Sequence, residues 1–214
     1  MRVTPAAIPV PRPTGRGGHG NSREGWTMDG SHGMGRDLLT RLTKAALSAT
    51  LAAFALLVAA DNLLDYDANY AFVQHVLGMD TVFPGNPLAW RAIRDPVWWQ
   101  AGYALIIAGE AATGLLFLIG GVQLLRHRRA PAHRFEAAKA WCVAGAAAGL
   151  AVWLLGFLVI GGEWFQMWQS PHWNGQEAAF RFAMVILAVL IFINQPDGPL
   201  DRQAERDATA VGQH

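Results

Sequence analysis

The chain has 214 residues, of which 52% are hydrophobic and only 15% are charged, and its mean hydropathy is +0.20. Soluble globular proteins carry about 25% charged residues, so this composition argues against an ordinary soluble domain. The net charge of +1, without a basic stripe interleaved with aromatic residues, argues against nucleic-acid binding. The single cysteine, Cys142, cannot form an intrachain disulfide or a cysteine-based metal centre, and no cofactor is expected.

The chain begins with a polar tail that leads into a first membrane span. Residues 1–36 are rich in Gly, Pro and Arg and lack an apolar period, which predicts a disordered cytoplasmic tail. Residues 39–61 form an apolar run that reaches the roughly 20 residues a transmembrane helix needs. A signal peptide cleaved after Ala60 is the competing interpretation, since Val58-Ala59-Ala60 fits the small-residue cleavage pattern. The long preceding tail and three later spans favour a membrane helix.

Three further apolar runs predict membrane helices over residues 97–125, 137–161 and 178–194. Pro196 marks the end of the last helix because proline cannot extend the backbone hydrogen-bond ladder. Residues 196–214 are polar and predict a solvated cytoplasmic tail. The predicted fold is therefore all-α, a polytopic membrane protein with a four-helix transmembrane domain over residues 37–195.

Basic residues are concentrated in some connecting segments and scarce in others. Cytoplasmic loops of membrane proteins are enriched in Lys and Arg. Arg36, Arg41 and Lys44 lie before the apolar core of the first span, and the connection between the second and third spans carries Arg126, Arg128, Arg129, Arg134 and Lys139. The other two loops are mainly acidic. This pattern predicts that both termini are cytoplasmic. Six of the nine tryptophans agree, because they lie in or beside the two outer loops: Trp90, Trp98, Trp99, Trp164, Trp168 and Trp173.

Small residues mark the faces through which membrane helices approach each other. We expect these faces to pack within one molecule rather than to form a homodimer, although the third span contains a literal Gly145-x-x-x-Gly149 pattern. The predicted inward faces are Ser48, Ala52, Ala55 and Ala59 in the first span; Tyr103, Glu110, Thr113, Gly114 and Gly121 in the second; and Ala138, Cys142, Gly145, Gly149, Val152 and Gly156 in the third.

Glu110 is the charged residue that bears most directly on function, because it lies deep inside a predicted membrane span. It lies about 12 residues beyond Trp98, or about 18 Å into the span at the helical rise. A carboxylate at that depth must be protonated, paired or in contact with water. Two interpretations remain open. One is a proton-relay or ion-binding site, and the other is a neutral acid that donates a hydrogen bond to a backbone carbonyl or polar group of another helix. Arg181, about one turn into the fourth span, is expected to pair with Glu163 or to extend towards the membrane surface.

The histidines argue against a membrane haem, since none lies inside a predicted span. His75, Asp80, Glu163 and His172 all lie in the outer loops, where they could meet at a metal ion. Their spacing matches no recognised metal site, so scattered loop residues are the favoured interpretation.

The first outer loop has the periodicity of a helix. Its apolar residues recur at three- and four-residue steps, which predicts a short periplasmic helix lying on the membrane surface with its apolar side down. These residues are Leu63, Tyr66, Tyr70, Val73 and Leu77, and a second short turn is expected over residues 88–93.

Three stretches of the outer loops carry a distinctive pattern. They are Asn62-x-x-Asp65-Tyr66-x-x-Asn69-x-x-Phe72-Val73-x-x-Val76-Leu77-x-Met79-Asp80, Trp90-Arg91-Ala92-Ile93, and Ile160-Gly161-Gly162-Glu163-Trp164-Phe165-Gln166-Met167-Trp168-Gln169. They resemble a bacterial family of predicted small integral membrane proteins with a domain of unknown function, over roughly residues 39–194. The resemblance implies four spans and a bacterial inner membrane, and it implies no activity.

Three functions from different classes remain open. The favoured one is a non-enzymatic accessory or scaffold component that binds a membrane-protein partner or lipid through its Trp-rich periplasmic face. The alternative is a small proton- or ion-coupled transporter that uses Glu110. An enzyme acting on a lipid or quinone through Glu163, Asp80 or His75 has the least support. The candidate functional residues are Glu110, Glu163, Trp164, Gln166, Trp168, Arg181, Asp65 and Asp80.

Overall fold

The computed structural model describes residues 30–198, with side chains from Gly35 onward. Regular structure in this range is entirely helical. The helices are α1 (Gly30–Leu64), α2 (Tyr66–Gly78), α3 (Pro96–Arg126), α4 (Ala132–Trp164) and α5 (Gln176–Asn194), with short 3₁₀ turns at Ala89–Arg91 and Met167–Gln169. In this part of the chain α1, α3, α4 and α5 are long and apolar enough to cross a membrane. The predicted all-α, four-span fold is confirmed.

The ends of the domain differ from the sequence prediction. Helix α1 begins at Gly30, so residues 30–36 of the predicted disordered tail are helical, while residues 1–29 lie outside the described range. Residues 196–198, predicted as the start of a solvated tail, fold back onto the bundle through Asp197, and the rest of that tail is likewise outside the range.

The start of α3 follows directly from its local sequence. The side chain of Asp95 accepts a hydrogen bond from the backbone N–H of Val97 at 3.0 Å. Pro96 occupies the first helical position, where a missing N–H costs nothing. These two residues fix where α3 begins.

Close backbone approach holds α1, α3 and α4 together. A Cβ atom added at Gly114 would lie 2.6 Å from Cγ of Leu56 on α1, and one at Gly120 would lie 2.6 Å from Sγ of Cys142 on α4. Gly145 and Gly149 pack against α3 and α5 in the same molecule, so the GxxxG pattern serves the bundle itself. The predicted inward faces are confirmed except at Gly156, which is only partly buried.

Helix α4 changes its winding along its length. Its last part, Ala151–Trp164, is π-helical, and the backbone N–H of Phe165 donates to the carbonyl of Ile160 at 3.0 Å. The wider turn shifts which residues face inward, so Trp153, Gly161 and Gly162 are buried there. π-helical turns are rare and frequently occur near functional sites.

Helix α2 lies across one end of the bundle, against α3 and α4. Its first residues sit by Tyr103, and Val73 and Leu77 face Gly102 of α3. The predicted surface helix therefore exists, but it starts at Tyr66, and Leu63 belongs to the exposed end of α1. We call residues 65–95 and 163–175 the cap, and the opposite end, where α1 starts and α5 finishes, the basic end.

Candidate functional site

The two segments of the cap share a small apolar core of their own. Val76, Met79, Phe165 and Met167 are buried together, and Trp173 packs against them. Met79 and Gln166 adopt left-handed backbone conformations, with φ of 50° and 58°, which turn the chain sharply at the ends of α2 and α4. The cap is thus a packed unit rather than a pair of independent loops.

Polar contacts centred on Gln169 tie the two segments together. Its Oε1 accepts hydrogen bonds from the backbone N–H of Phe83 at 2.9 Å and from Nδ2 of Asn86 at 3.0 Å. Its Nε2 donates to Oε1 of Gln166 at 3.0 Å, and Nε2 of Gln166 donates to the carbonyl of Glu163 at 2.7 Å. Gln166 therefore has a structural role in the cap, and the carboxylate of Glu163 remains exposed.

Four exposed aromatic side chains of the cap form two pairs. Arg91 places its guanidinium 4.4 Å from the ring centre of Trp164 and 5.6 Å from that of Trp90, and its Nη1 donates to the carbonyl of Trp164 at 3.2 Å. Trp168 meets Phe83 edge-to-face at 5.8 Å. We call Phe83, Trp90, Trp164 and Trp168 the cap aromatics; all four are exposed although their backbones are fixed.

The predicted acidic candidates of the cap are separated. Asp80 contacts Nδ1 of His75 at 2.8 Å, and the His75 ring stacks on Trp173 at 4.5 Å. Asp65 is exposed before α2 and makes no side-chain cap bond. Over residues 35–198 no three His, Cys, Asp or Glu side chains are grouped as a metal site would require. His75 and Asp80 come together, whereas Glu163 and His172 do not join them.

Glu110 lies inside the bundle, near the middle of α3, and is 2% exposed. Its Oε2 accepts a hydrogen bond from Nδ2 of Asn62, near the end of α1, at 2.7 Å. The hydroxyl of Tyr103 donates to the carbonyl of Asn62 at 2.6 Å, and the Tyr103 ring packs against Tyr66. Asn62 thus joins α1 to α3 through two partly buried hydrogen bonds, and Tyr103 extends the contact to α2. Glu110 is thus hydrogen-bonded to another helix, but it accepts the bond from Asn62, whereas the structural interpretation had it donating.

Arg181 does not pair as predicted. Its guanidinium contacts Oε1 of Glu177, one turn earlier on α5, at 2.5 Å, and both side chains are largely exposed. The expected pairing with Glu163 is wrong, because residues four apart on a helix are neighbours and Glu177 competes from the same helix face. This surface pair stands apart from both the cap aromatics and Glu110.

The basic end holds a buried charge cluster that sequence reasoning missed. Nζ of Lys44 and Nζ of Lys139 both contact Oδ2 of Asp197, at 2.7 and 2.5 Å. Both lysines also donate to the carbonyl of Gln195, at 2.6 and 2.7 Å. Glu136 joins by accepting from Lys139 and from the backbone N–H of Asp197, each at 2.9 Å. The cluster fastens the end of α5 to α1 and α4.

Arg41 extends this cluster through hydrogen bonds to backbone carbonyls and a ring contact. Its guanidinium donates to the carbonyls of Arg128, Ala130 and Gly198 at 3.2, 2.7 and 3.1 Å, and it lies 4.7 Å from the ring centre of Phe135. The sequence counted Arg41, Lys44 and Lys139 as surface charges. For Arg41 and Lys44 the available signal was their spacing of three residues on the inward side of α1, in line with Ser48.

The lysines determine the charge state of Asp197. Burial alone would raise the pKa of this carboxyl, but hydrogen bonds from Lys139 and Lys44 outweigh it and hold the pKa below its ordinary value. Asp197 is therefore ionised at neutral pH, and the cluster contains real ion pairs. Removing Asp197 would leave the buried ammonium of Lys44 without its carboxylate partner.

Comparison with known proteins agrees with this architecture. A family model described as "Predicted small integral membrane protein (DUF2165)" matches residues 40–196, which is more than half of the chain. No curated protein and no solved structure matches. The matched region contains the cap, Glu110 and most of the buried charge cluster. The chain therefore belongs to this family of predicted small integral membrane proteins.

Proposed function

We propose that this protein is a non-enzymatic accessory or scaffold component of a membrane complex, which binds a partner protein through the cap aromatics. The observation that carries the proposal is that these four rings are exposed while the backbone beneath them is fixed by the bonds of Gln169 and Arg91. Trp and Arg dominate the energetics of protein interfaces. A rigid aromatic surface also loses little side-chain entropy when it binds.

Lipid contact alone accounts less well for this arrangement. Tryptophans of an interfacial belt need only an apolar side and a wet side, and they require no mutual geometry. Here Trp90 and Trp164 lie edge-to-face at 6.3 Å with Arg91 against both rings. A guanidinium held between two indoles is typical of a recognition surface, because it offers planar stacking and directional donors together.

Co-purification from native membranes tests the proposal. We expect the wild-type protein, extracted in a mild detergent, to retain a stoichiometric partner that Trp168→Ala loses. An interface anchor contributes about 2 kcal/mol or more, which corresponds to about 30-fold weaker binding. Trp141→Ala is the matched control, since Trp141 is 43% exposed against 45% for Trp168 but lies on α4 near the basic end. Equal retention by both variants would contradict the proposal.

We further propose that the cap faces the periplasm and that both termini face the cytoplasm of a bacterial inner membrane. Three of the basic residues used for orientation, Arg41, Lys44 and Lys139, are buried within the protein. Exposed Arg126, Arg129 and Arg134 still give the basic end an excess of positive charge, which supports the same orientation.

Labelling of introduced cysteines tests this orientation. Cys142 is fully buried, so the wild-type background should be low. A membrane-impermeant thiol reagent added outside intact cells, with the outer membrane permeabilised, should label His172→Cys in the cap and spare His133→Cys at the basic end. The reverse pattern would overturn the orientation.

Proton- or ion-coupled transport through Glu110 is the second candidate. The buried carboxylate with one hydrogen bond from Asn62 favours it. Close packing towards the basic end weighs against it, because Phe117 is fully buried and lies 3.0 Å from where a Cβ at Gly145 would be. Transport would require proton or ion flux in proteoliposomes that Glu110→Gln abolishes. Equal flux in the variant, or none in the wild type, removes this candidate.

A further inference from the structure

An apolar groove runs between α1 and α3 near the basic end, on the outside of the bundle. Its floor consists of Ala45, Ala46, Ala49 and Gly121, and its volume is about 410 Å³. Leu42 and Leu125 form part of its walls at the end nearest the membrane surface. The groove exists because α1 and α3 approach closely, since a Cβ at Gly121 would lie 3.3 Å from the carbonyl oxygen of Ala45.

The groove has the dimensions of part of a lipid acyl chain. From Leu42 to Ala49 the floor is about 10 Å long at the helical rise, or about a third of the hydrocarbon thickness of a bilayer. The lining is apolar throughout, so it offers no partner for a polar ligand within the membrane.

Positive charge is concentrated where the groove reaches the membrane surface. Nη1 of Arg128 donates to the carbonyl of Leu125 at 2.8 Å, which holds this guanidinium at the end of the groove. Arg126 follows Leu125 directly and is exposed, as is Arg129. Among residues 35–198, the ion pairs involve none of these three arginines. The guanidinium groups of Arg126 and Arg129, and the remaining donors of Arg128, can therefore bind a phosphate in the headgroup layer.

We propose that this groove is a binding site for an anionic phospholipid, with an acyl chain along the alanine and glycine floor and the phosphate at Arg126, Arg128 and Arg129. The site is separate from the cap and does not depend on its proposed role. A second copy of the chain fits less well. A symmetric contact through this face would place the same arginines of both copies side by side, and like charges repel.

Native mass spectrometry of the intact protein tests the site. The protein is titrated with phosphatidylglycerol and with phosphatidylcholine of identical acyl chains. We expect tighter binding of phosphatidylglycerol, and each of Arg126→Gln and Arg129→Gln should weaken it about fivefold. Ala46→Leu, which fills the exposed floor, should weaken both lipids.

Two matched variants control for nonspecific effects. Arg94→Gln removes an exposed arginine at the cap, and Ala53→Leu enlarges an exposed alanine of α1 outside the groove; neither should change binding. Equal affinity for the two lipids would overturn the proposal. So would an effect of Arg94→Gln as large as that of Arg126→Gln, or a dimer that forms through this face and is lost in Ala46→Leu.

Discussion

Replacement of Asp197 by asparagine removes the carboxylate that neutralises two buried ammonium groups. Breaking a buried pair by removing one partner costs about 3–5 kcal/mol. Lys44 and Lys139 would keep the carbonyl of Gln195, and Lys139 would keep Glu136, so part of the interaction survives. We therefore expect the lower end, a loss of about 3 kcal/mol in the free energy of unfolding.

The assay is SDS-driven unfolding of the micelle-bound protein, followed by tryptophan fluorescence. Glu177→Gln is the control, because it breaks the exposed pair with Arg181 and should cost under about 1 kcal/mol. Adding Lys44→Met to Asp197→Asn should cost less than the sum of the two single changes, since the unpaired charge is then gone. Equal effects of Asp197→Asn and Glu177→Gln would refute the structural role of the cluster.

Three further predictions concern Asp197, Gly114 and Gln169. The folded pKa of Asp197 lies below its unfolded value of about 3.9. The stabilisation by this carboxylate is therefore complete well above about pH 4 and is lost as the pH falls through the folded pKa. The thermal unfolding temperature of Asp197→Asn should consequently fall less in acid than that of the wild type. Gly114→Ala should destabilise by about 1–3 kcal/mol through overpacking against Leu56. Gly35→Ala, with open space around it in a helix, should not destabilise in the same SDS titration. Gln169→Leu should raise hydrogen exchange of the Phe83 amide, which loses its acceptor, while exchange in α3 stays unchanged.

The membrane spans could be read from the sequence because a bilayer demands long apolar helices. The inward faces of α1, α3 and most of α4 could also be predicted, because small residues at helical spacing in a membrane helix mark the face that packs closely against other helices. Gly156 departs from the expected face because the backbone becomes π-helical before it, and local sequence gives no clear sign of that change. Cytoplasmic and periplasmic placement of the loops stays a prediction.

The polar contacts were harder to predict, because they join residues far apart in the chain. Glu110 was expected to turn inward, but its partner Asn62 lies 48 positions away and was assigned to a surface helix. Asp197 was assigned to a solvated tail, since nothing local indicates that two lysines more than 50 positions away would enclose it. For Arg181 the sequence offered pairing with the distant Glu163 or extension towards the membrane surface, although Glu177 stood one turn away. The eight candidate residues form several separate contacts rather than one site.

Site-specific photocrosslinking in native membranes tests the proposed role of the cap most directly. A benzoylphenylalanine in place of Phe83 keeps an aromatic ring next to Trp168, and the same replacement at Phe180 on α5 is the control, since both positions are 56% exposed. A partner-binding cap predicts a discrete protein adduct from position 83 that is absent from position 180 and is reduced by Trp168→Ala. Adducts with lipid alone at both positions would contradict it.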